Sequence, residues 1–377
     1  MVKQEMYRRS FLKSALGAGL YALGSGPLSP FSTTAEALDR KRRFAPVKIS
    51  KERLIRTVVG LRPYRSEGFV VRAERLGEKL IIHNYGHGGA GVTLSWGTAS
   101  MAADLARESM QDSFAVLGCG VMGLSTARLL QRRGGQVTIY AKAQPPETTS
   151  NIAGALWFPT SSFNSQKVEP PFIEKFKLAC RISNRAFQNL VGADYGVSWI
   201  ETFMLRNEPP QNPELIGGAQ LYPETHVYQD QGERLGFPYV AQFKTMLIEP
   251  SVYLNSLLRD FHIAGGKIVV REFRSREEIA ALREPVVVNC TGLGARTLFG
   301  DEALIPVRGQ LEVLLPQHEV DYCYISGSLY MFPRRDGIIL GGTFEHDRWS
   351  LDVDAGQTAI TLEGNAGIMK GLRRRPS

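Results

Sequence analysis

The run Gly118-Cys119-Gly120-Val121-Met122-Gly123 has the spacing GxGxxG. It follows an apolar segment, Ser113-Phe114-Ala115-Val116-Leu117, and precedes a helical pattern from Leu124 to Arg133. In that setting each glycine has a task. Gly118 makes the tight turn, Gly120 lets the backbone approach a pyrophosphate, and Gly123 lets the helix pack closely on the strand. The helix start offers free N–H groups and a positive dipole end to phosphates. The chemistry predicted is dinucleotide binding. A carboxylate that accepts from the ribose hydroxyls is expected about 20 residues further on, at the end of a second strand. There the chain reads Tyr140-Ala141-Lys142. Lys142 has no acceptor atom, so the ribose must be held in another way, with the backbone as the candidate.

Other chemistries find little support. The four cysteines, Cys119, Cys180, Cys290 and Cys323, form no CxxC pair and no His/Cys cluster, so no metal site is expected. Cys119 and Cys290 fall in apolar strand-turn segments, where buried free thiols are expected. The formal charge of +8 is concentrated at the edges, in Arg40-Lys41-Arg42-Arg43 and Arg373-Arg374-Arg375. Like-charge runs are usually solvated or disordered. No base-reading motif accompanies them, which excludes a nucleic-acid partner.

The elements that must position these groups alternate between strand and helix. Arg53 to Gly60 reads as extended, and Phe69-Val70-Val71-Arg72 and Lys79-Leu80-Ile81-Ile82-His83 read as strands turning at Gly77. A glycine-rich loop, Tyr85 to Gly91, leads to a helical pattern over Thr93–Arg107. Gln136 to Tyr140 is the second strand of the GxGxxG unit. Helices are expected over Phe172–Leu190 and from Pro250, and strands at Lys267–Val270 and Val286–Gly292. A hairpin joins Ser328–Phe332 to Gly337–Thr343. Trp96 and Trp157 are expected in the core.

The first residues look like an export signal. Arg8-Arg9-Ser10-Phe11-Leu12-Lys13 is a twin-arginine signature. A short, glycine-broken apolar stretch follows, then Ala35-Glu36-Ala37 in the form of a cleavage site. The stretch is too short to span a bilayer, which takes about 20 apolar residues. The expectation is a signal peptide over 1–37, passage through the twin-arginine machinery, and a periplasmic or secreted protein with no stable membrane insertion.

Several longer stretches carry a family resemblance. They are Val59-Gly60-Leu61-Arg62-Pro63-Tyr64-Arg65, His83-Asn84-Tyr85-Gly86-His87-Gly88-Gly89, Thr148-Thr149-Ser150-Asn151-Ile152-Ala153-Gly154-Ala155-Leu156-Trp157, Val288-Asn289-Cys290-Thr291-Gly292, Arg308-Gly309-Gln310 and Leu340-Gly341-Gly342-Thr343-Phe344. With the GxGxxG run they resemble the D-amino-acid oxidase family of flavoproteins, which includes D-aspartate oxidase. The resemblance implies a mixed α/β (α+β) fold: a FAD-binding Rossmann-like domain interleaved with an antiparallel-sheet substrate domain. The implied partition is 38–52 linker, 53–160 and 246–300 FAD-binding, 161–245 and 301–370 substrate-binding, and 371–377 a basic tail. The order is unusual, because the segment like 53–107 closes the family's chains and here precedes the nucleotide motif. The chain therefore looks circularly permuted, and the regions of Lys48 and Lys370 should be neighbours.

Roles follow from the resemblance position by position. Arg62 matches the arginine that pairs with the substrate carboxylate, Tyr330 a tyrosine whose hydroxyl contacts the same group, and Gly89 a glycine whose carbonyl holds the amine. Gly88, Gly89, Gly91, Val92 and Thr93 would lie against the flavin. Thr148, Thr149, Ser150, Gly154, Ala155 and Leu156 match contacts to flavin and pyrophosphate, and Thr291 and Phe273 contacts to the nucleotide end. A second active-site tyrosine of the family would fall on Ser326, with Tyr322 or Tyr324 as its substitute. Phe344 stands where the D-aspartate branch carries an arginine, which points to neutral D-amino acids. His83 and His87 are expected to support the loop, since hydride transfer needs no base. The resemblance implies oxidative deamination of a small D-amino acid to the α-keto acid, ammonia and hydrogen peroxide by hydride transfer to FAD, with oxygen or another acceptor regenerating the flavin. The alternatives are a glycine or secondary-amine oxidase, a quinone-linked dehydrogenase, and a flavin-binding protein without turnover.

Overall fold

The computed structural model describes residues 44–209, 217–229 and 236–373. The expected export signal, the start of the expected linker and the end of the basic tail lie outside them.

The chain opens with a long strand, β1 (Leu54–Arg65), and a hairpin of β2 (Val70–Leu76) and β3 (Lys79–Tyr85). The hairpin turns at Gly77, whose φ of +57° suits a residue without Cβ. Helix α1 (Gly91–Arg107) leads to the unit β4 (Ser113–Leu117), α2 (Val121–Arg132) and β5 (Gln136–Ala141). Next come α3 (Pro170–Gln188), β6 (Val197–Arg206), β7 (His226–Gln229), β8 (Tyr239–Ile248), α4 (Pro250–Ile263), β9 (Lys267–Val270), α5 (Arg276–Ala280), β10 (Val286–Asn289) and α6 (Gly294–Phe299). Helices α3 and α4 each begin with proline, whose missing N–H costs nothing in a first turn. The last part is β11 (Leu304–Leu314), β12 (Tyr322–Ser326), β13 (Leu329–Arg334), β14 (Gly337–Gly341), β15 (Glu345–His346) and α7 (Ala355–Arg373).

Two sheets result. The six-stranded one has the order β2-β3-β10-β4-β5-β9, and all its pairs are parallel except β2 with β3. Its central strands are apolar throughout, as parallel strands covered on both faces must be: Val286, Val287 and Val288 are buried, as are Phe114 to Leu117. The larger sheet runs β1-β11-β14-β13-β12-β6-β8-β7, with β15 also on β11. One apolar core joins the two sheets, from Val116, Leu124 and Val288 to Phe243, Leu311 and Ile339. A second lies on the far face of the larger sheet and contains Val47, Phe203, Tyr322, Tyr324, Leu340 and Met369.

Two features differ from the sequence reading. Strand β1 pairs along its length with β11, so 54–65 belongs to the larger sheet and not with the nucleotide part. Long-range register decides this, and no local pattern reports it. Residues 44–49, read as linker, are packed, because Val47 is buried and its N–H meets the Met369 sulfur at 3.4 Å. Lys48 and Lys370 are thus neighbours through the residues beside them.

Candidate active site

A continuous cleft of about 2860 Å³ runs from the carboxyl ends of the parallel strands to the inner face of the larger sheet. Every site residue expected from the sequence lines it except Gly123 and the two candidate tyrosines, Tyr322 and Tyr324. A Cβ on Gly123 would overlap the Gly118 carbonyl, which is the helix–strand packing assigned to it. Gly118 has φ +107°, and a Cβ there would come within 2.6 Å of the Cys290 carbonyl oxygen.

The nucleotide end is built from backbone. Helix α2 starts at the N-cap Gly120, which has no side chain to cap it, and the N–H groups after the first open towards the cleft. Ser150 reaches across from the 148–152 turn and accepts from the Val121 N–H at 3.0 Å. This fixes the segment Thr148, Thr149, Ser150 against the helix start. Asn289, at the end of β10, accepts from both the N–H (3.1 Å) and the hydroxyl (2.7 Å) of Thr291. Phe273 lines the same end beneath the Arg271 guanidinium, 4.6 Å from its ring centre. An uncapped helix start, bare glycine backbone and clustered hydroxyls fit the pyrophosphate and ribityl parts of FAD.

The middle of the cleft is a glycine loop held from behind. Gly88 has φ +57°, and a Cβ on it would press into the Ser161 carbonyl. Gly89 donates its N–H to that carbonyl at 2.9 Å. Thr93 donates to the Leu156 carbonyl at 3.5 Å, tying α1 to the 153–158 segment. His87 stacks on Phe69 at 5.2 Å and shares a hydrogen bond of 2.9 Å with Thr98. Burial pulls the His87 pKa down to about 3. His83 falls to about 4 through burial, against the attraction of Glu74. Both imidazoles are neutral supports, in keeping with the sequence reading.

At the far end Arg62 and Tyr330 come together. Arg62, on β1 opposite Val307, extends over Gly309 of β11, where a Cβ would overlap its guanidinium. Its Nη1 donates to the Thr343 carbonyl at 3.2 Å, and its carbon lies 5.7 Å from the Phe344 ring centre. Among the described residues no carboxylate pairs with it. Tyr330, on β13, stacks on Phe332 at 4.7 Å and lies over Gly341 and Gly342. Burial raises the Tyr330 pKa above its ordinary value, and the neighbouring Arg62 works against that rise.

Tyr322 and Tyr324 do not replace the second tyrosine. They share one face of β12 and point into the far core, where their hydroxyls meet the Ala45 carbonyl (2.9 Å) and Asn365 (2.6 Å). Ile325, on the opposite face of the strand, lines the cleft instead, together with Ser326 at the strand's end. Sequence reasoning did not single out His346. It forms a cluster with Tyr64 and Phe344, at 5.2 and 5.0 Å, on the wall beside Arg62. It also gave no reason for Arg308-Gly309-Gln310. Arg308 is fully buried, binds Glu345 at 2.5 Å and donates to the Ser350 carbonyl at 3.1 Å. Gln310 donates its N–H to the Thr343 hydroxyl at 2.6 Å. These contacts hold β11 and the 343–354 loop together under Arg62.

The family model described as FAD dependent oxidoreductase (DAO) matches residues 16–105 and 113–375. The chain belongs to that family. It is an FAD-dependent oxidoreductase of the DAO family, and the cradle described above fits that cofactor. A D-amino-acid oxidase of Rubrobacter xylanophilus is 34% identical over 265 residues, 68% of this chain and 77% of that protein. Human D-aspartate oxidase is 32% identical over 254 residues, 64% of this chain and 71% of that protein. Among solved structures, an L-proline dehydrogenase from P. horikoshii superposes with a TM-score of 0.53 at 16% identity, covering 70% of this chain and 78% of that one. A glycine oxidase from Geobacillus kaustophilus gives 0.52 at 16% identity, covering 68% and 78%. These two establish the shared fold. No helix among the described residues is long and apolar enough to cross a membrane, and none of them cluster as a metal site.

Proposed function

We propose that this flavoprotein oxidises a small, neutral D-amino acid to its imine, which hydrolyses to the α-keto acid and ammonia. The observation that carries the reading is Arg62: a part-buried guanidinium at the end of the FAD cleft with no carboxylate partner among the described residues. Its planar fork suits a carboxylate held bidentately. The Tyr330 hydroxyl, kept protonated by burial, contributes a second donor to the same group. The Gly89 carbonyl receives the substrate amine. With carboxylate and amine held, one C–H is aimed at the cofactor, and positioning supplies most of what the protein adds. When bound, FAD would supply the acceptor for the α-hydride, and oxygen would regenerate it with release of hydrogen peroxide. Phe344 and His346 on the adjoining wall favour an uncharged side chain. The relatives named as D-amino-acid oxidase support the stereochemistry.

The chain order belongs to the same proposal. The family match falls into two stretches separated between α1 and β4, and Val47 meets Met369, near the two ends of the described chain. Both support a circular permutation. The twin-arginine motif supports export of the folded, cofactor-loaded protein to the periplasm or beyond.

The test is anaerobic mixing of the yellow protein with D- and L-amino acids, glycine and sarcosine, followed by flavin absorbance. Bleaching by neutral D-isomers is expected. Bleaching by glycine or sarcosine alone would replace the substrate assignment, and bleaching by none of them would remove it.

A further inference from the structure

We infer that Glu272 is the carboxylate that binds the adenosine ribose of FAD, supplied by β9 in place of the β5 end that usually supplies it. In dinucleotide folds the acceptor for the ribose hydroxyls stands where the second strand of the nucleotide unit ends. That strand is β5, and the next residue is Lys142, a donor with no acceptor atom. A ribose diol brings two hydroxyl donors and needs an acceptor there.

The sheet order brings one to the same place. Strand β9 lies beside β5 in parallel register, with Val270 opposite Ala141. The Arg271 N–H continues the ladder to the Ala141 carbonyl at 3.0 Å. Lys142 and Glu272 therefore leave the sheet side by side, and their side chains meet at 3.3 Å between Nζ and Oε1. Both line the cleft, with Tyr140, Arg271 and Phe273 around them. A second cleft carboxylate close in sequence to the β5 end is Glu147, in the turn that leads to Thr148 and Ser150 on the pyrophosphate side. Lys142 contacts one Glu272 oxygen, and the carboxylate keeps lone pairs for the two hydroxyls. Lys142 is a positioning residue on this account. The pair is largely exposed, at 73% and 55%, so as an ion pair alone it would add little to stability.

The test compares FAD with an FAD whose adenosine ribose lacks the 2′-hydroxyl. Each is titrated into the full-length apoprotein, with flavin fluorescence giving Kd and thermal melting of the apoprotein checking the fold. Glu272→Gln is expected to weaken FAD roughly 10-fold or more, the worth of a hydrogen bond to a charged group, and to change the deoxy analogue far less. Lys142→Met should give a smaller loss of the same kind. Glu147→Gln should bind both flavins as the wild type does. An apoprotein melting temperature unchanged by Glu272→Gln shows that the loss is not structural. If that substitution does unsettle the apoprotein, Glu272→Asp, which keeps the charge, provides the FAD-to-analogue comparison. Equal losses for FAD and the analogue, or no loss for FAD, would overturn the inference. Substrate identity does not enter these measurements, so the amino-acid reading stands or falls separately.

Discussion

The guanidinium of Arg62 lies against the bare backbone of Gly309, on the neighbouring strand of the larger sheet. A side chain at 309 would occupy the space the guanidinium fills. Gly309→Ala is therefore expected to displace Arg62 and raise KM for the amino acid by roughly 10-fold or more, the worth of a hydrogen bond to a charged group. FAD content should stay unchanged. Steady-state kinetics beside the flavin-to-protein absorbance ratio would check this, and an unaltered KM would show that Arg62 is not the anchor.

Removing the anchor itself has a larger effect. Arg62→Leu gives up two charge-assisted bonds to the substrate, so kcat/KM should fall roughly 10²- to 10³-fold. Tyr330→Phe keeps the ring on Phe332 and the two glycines but loses the hydroxyl, and should cost about 10-fold. Equal, small losses in both variants would argue that neither touches the carboxylate.

Acid should destabilise the fold through its buried imidazoles. His83 and His87 have depressed pKa values, about 4 and about 3, so the unfolded chain binds protons first as pH falls below about 6.5. Their contribution is complete above that pH and declines towards pH 4 for His83 and pH 3 for His87. The melting temperature should fall over that interval, with a shallower slope in His87→Gln. The same slope in that variant would remove His87 from the account.

All four cysteines are free and buried, and burial pushes the Cys119, Cys180 and Cys290 thiols up to about 12. The native protein should resist alkylation at pH 8 and take up four labels once unfolded. A reductant should leave its melting temperature unchanged, whatever compartment it occupies. A reductant-sensitive transition would mean a disulfide that this arrangement does not contain.

The nucleotide unit was legible because its signals are local. A buried strand, three glycines and a helix lie within one short stretch, and each has a distinct spacing. Arg62 and Tyr330 are far apart in the chain and meet through the pairing of β1, β11, β14 and β13. No periodicity reports that register, so a family resemblance had to place them. The same limit explains Tyr322 and Tyr324. Their types fit the cleft, but strand alternation turns them to the opposite face. It also explains Lys142, where a missing acid in the expected strand says nothing about its neighbour in the sheet.

The meeting of Val47 with Met369 has a practical side. Both ends of the described chain come to rest behind the larger sheet, on the surface turned away from the cleft. A domain joined directly to Phe44 or to Arg373 would therefore start from the back of the molecule, leaving the path of substrate into the cleft clear.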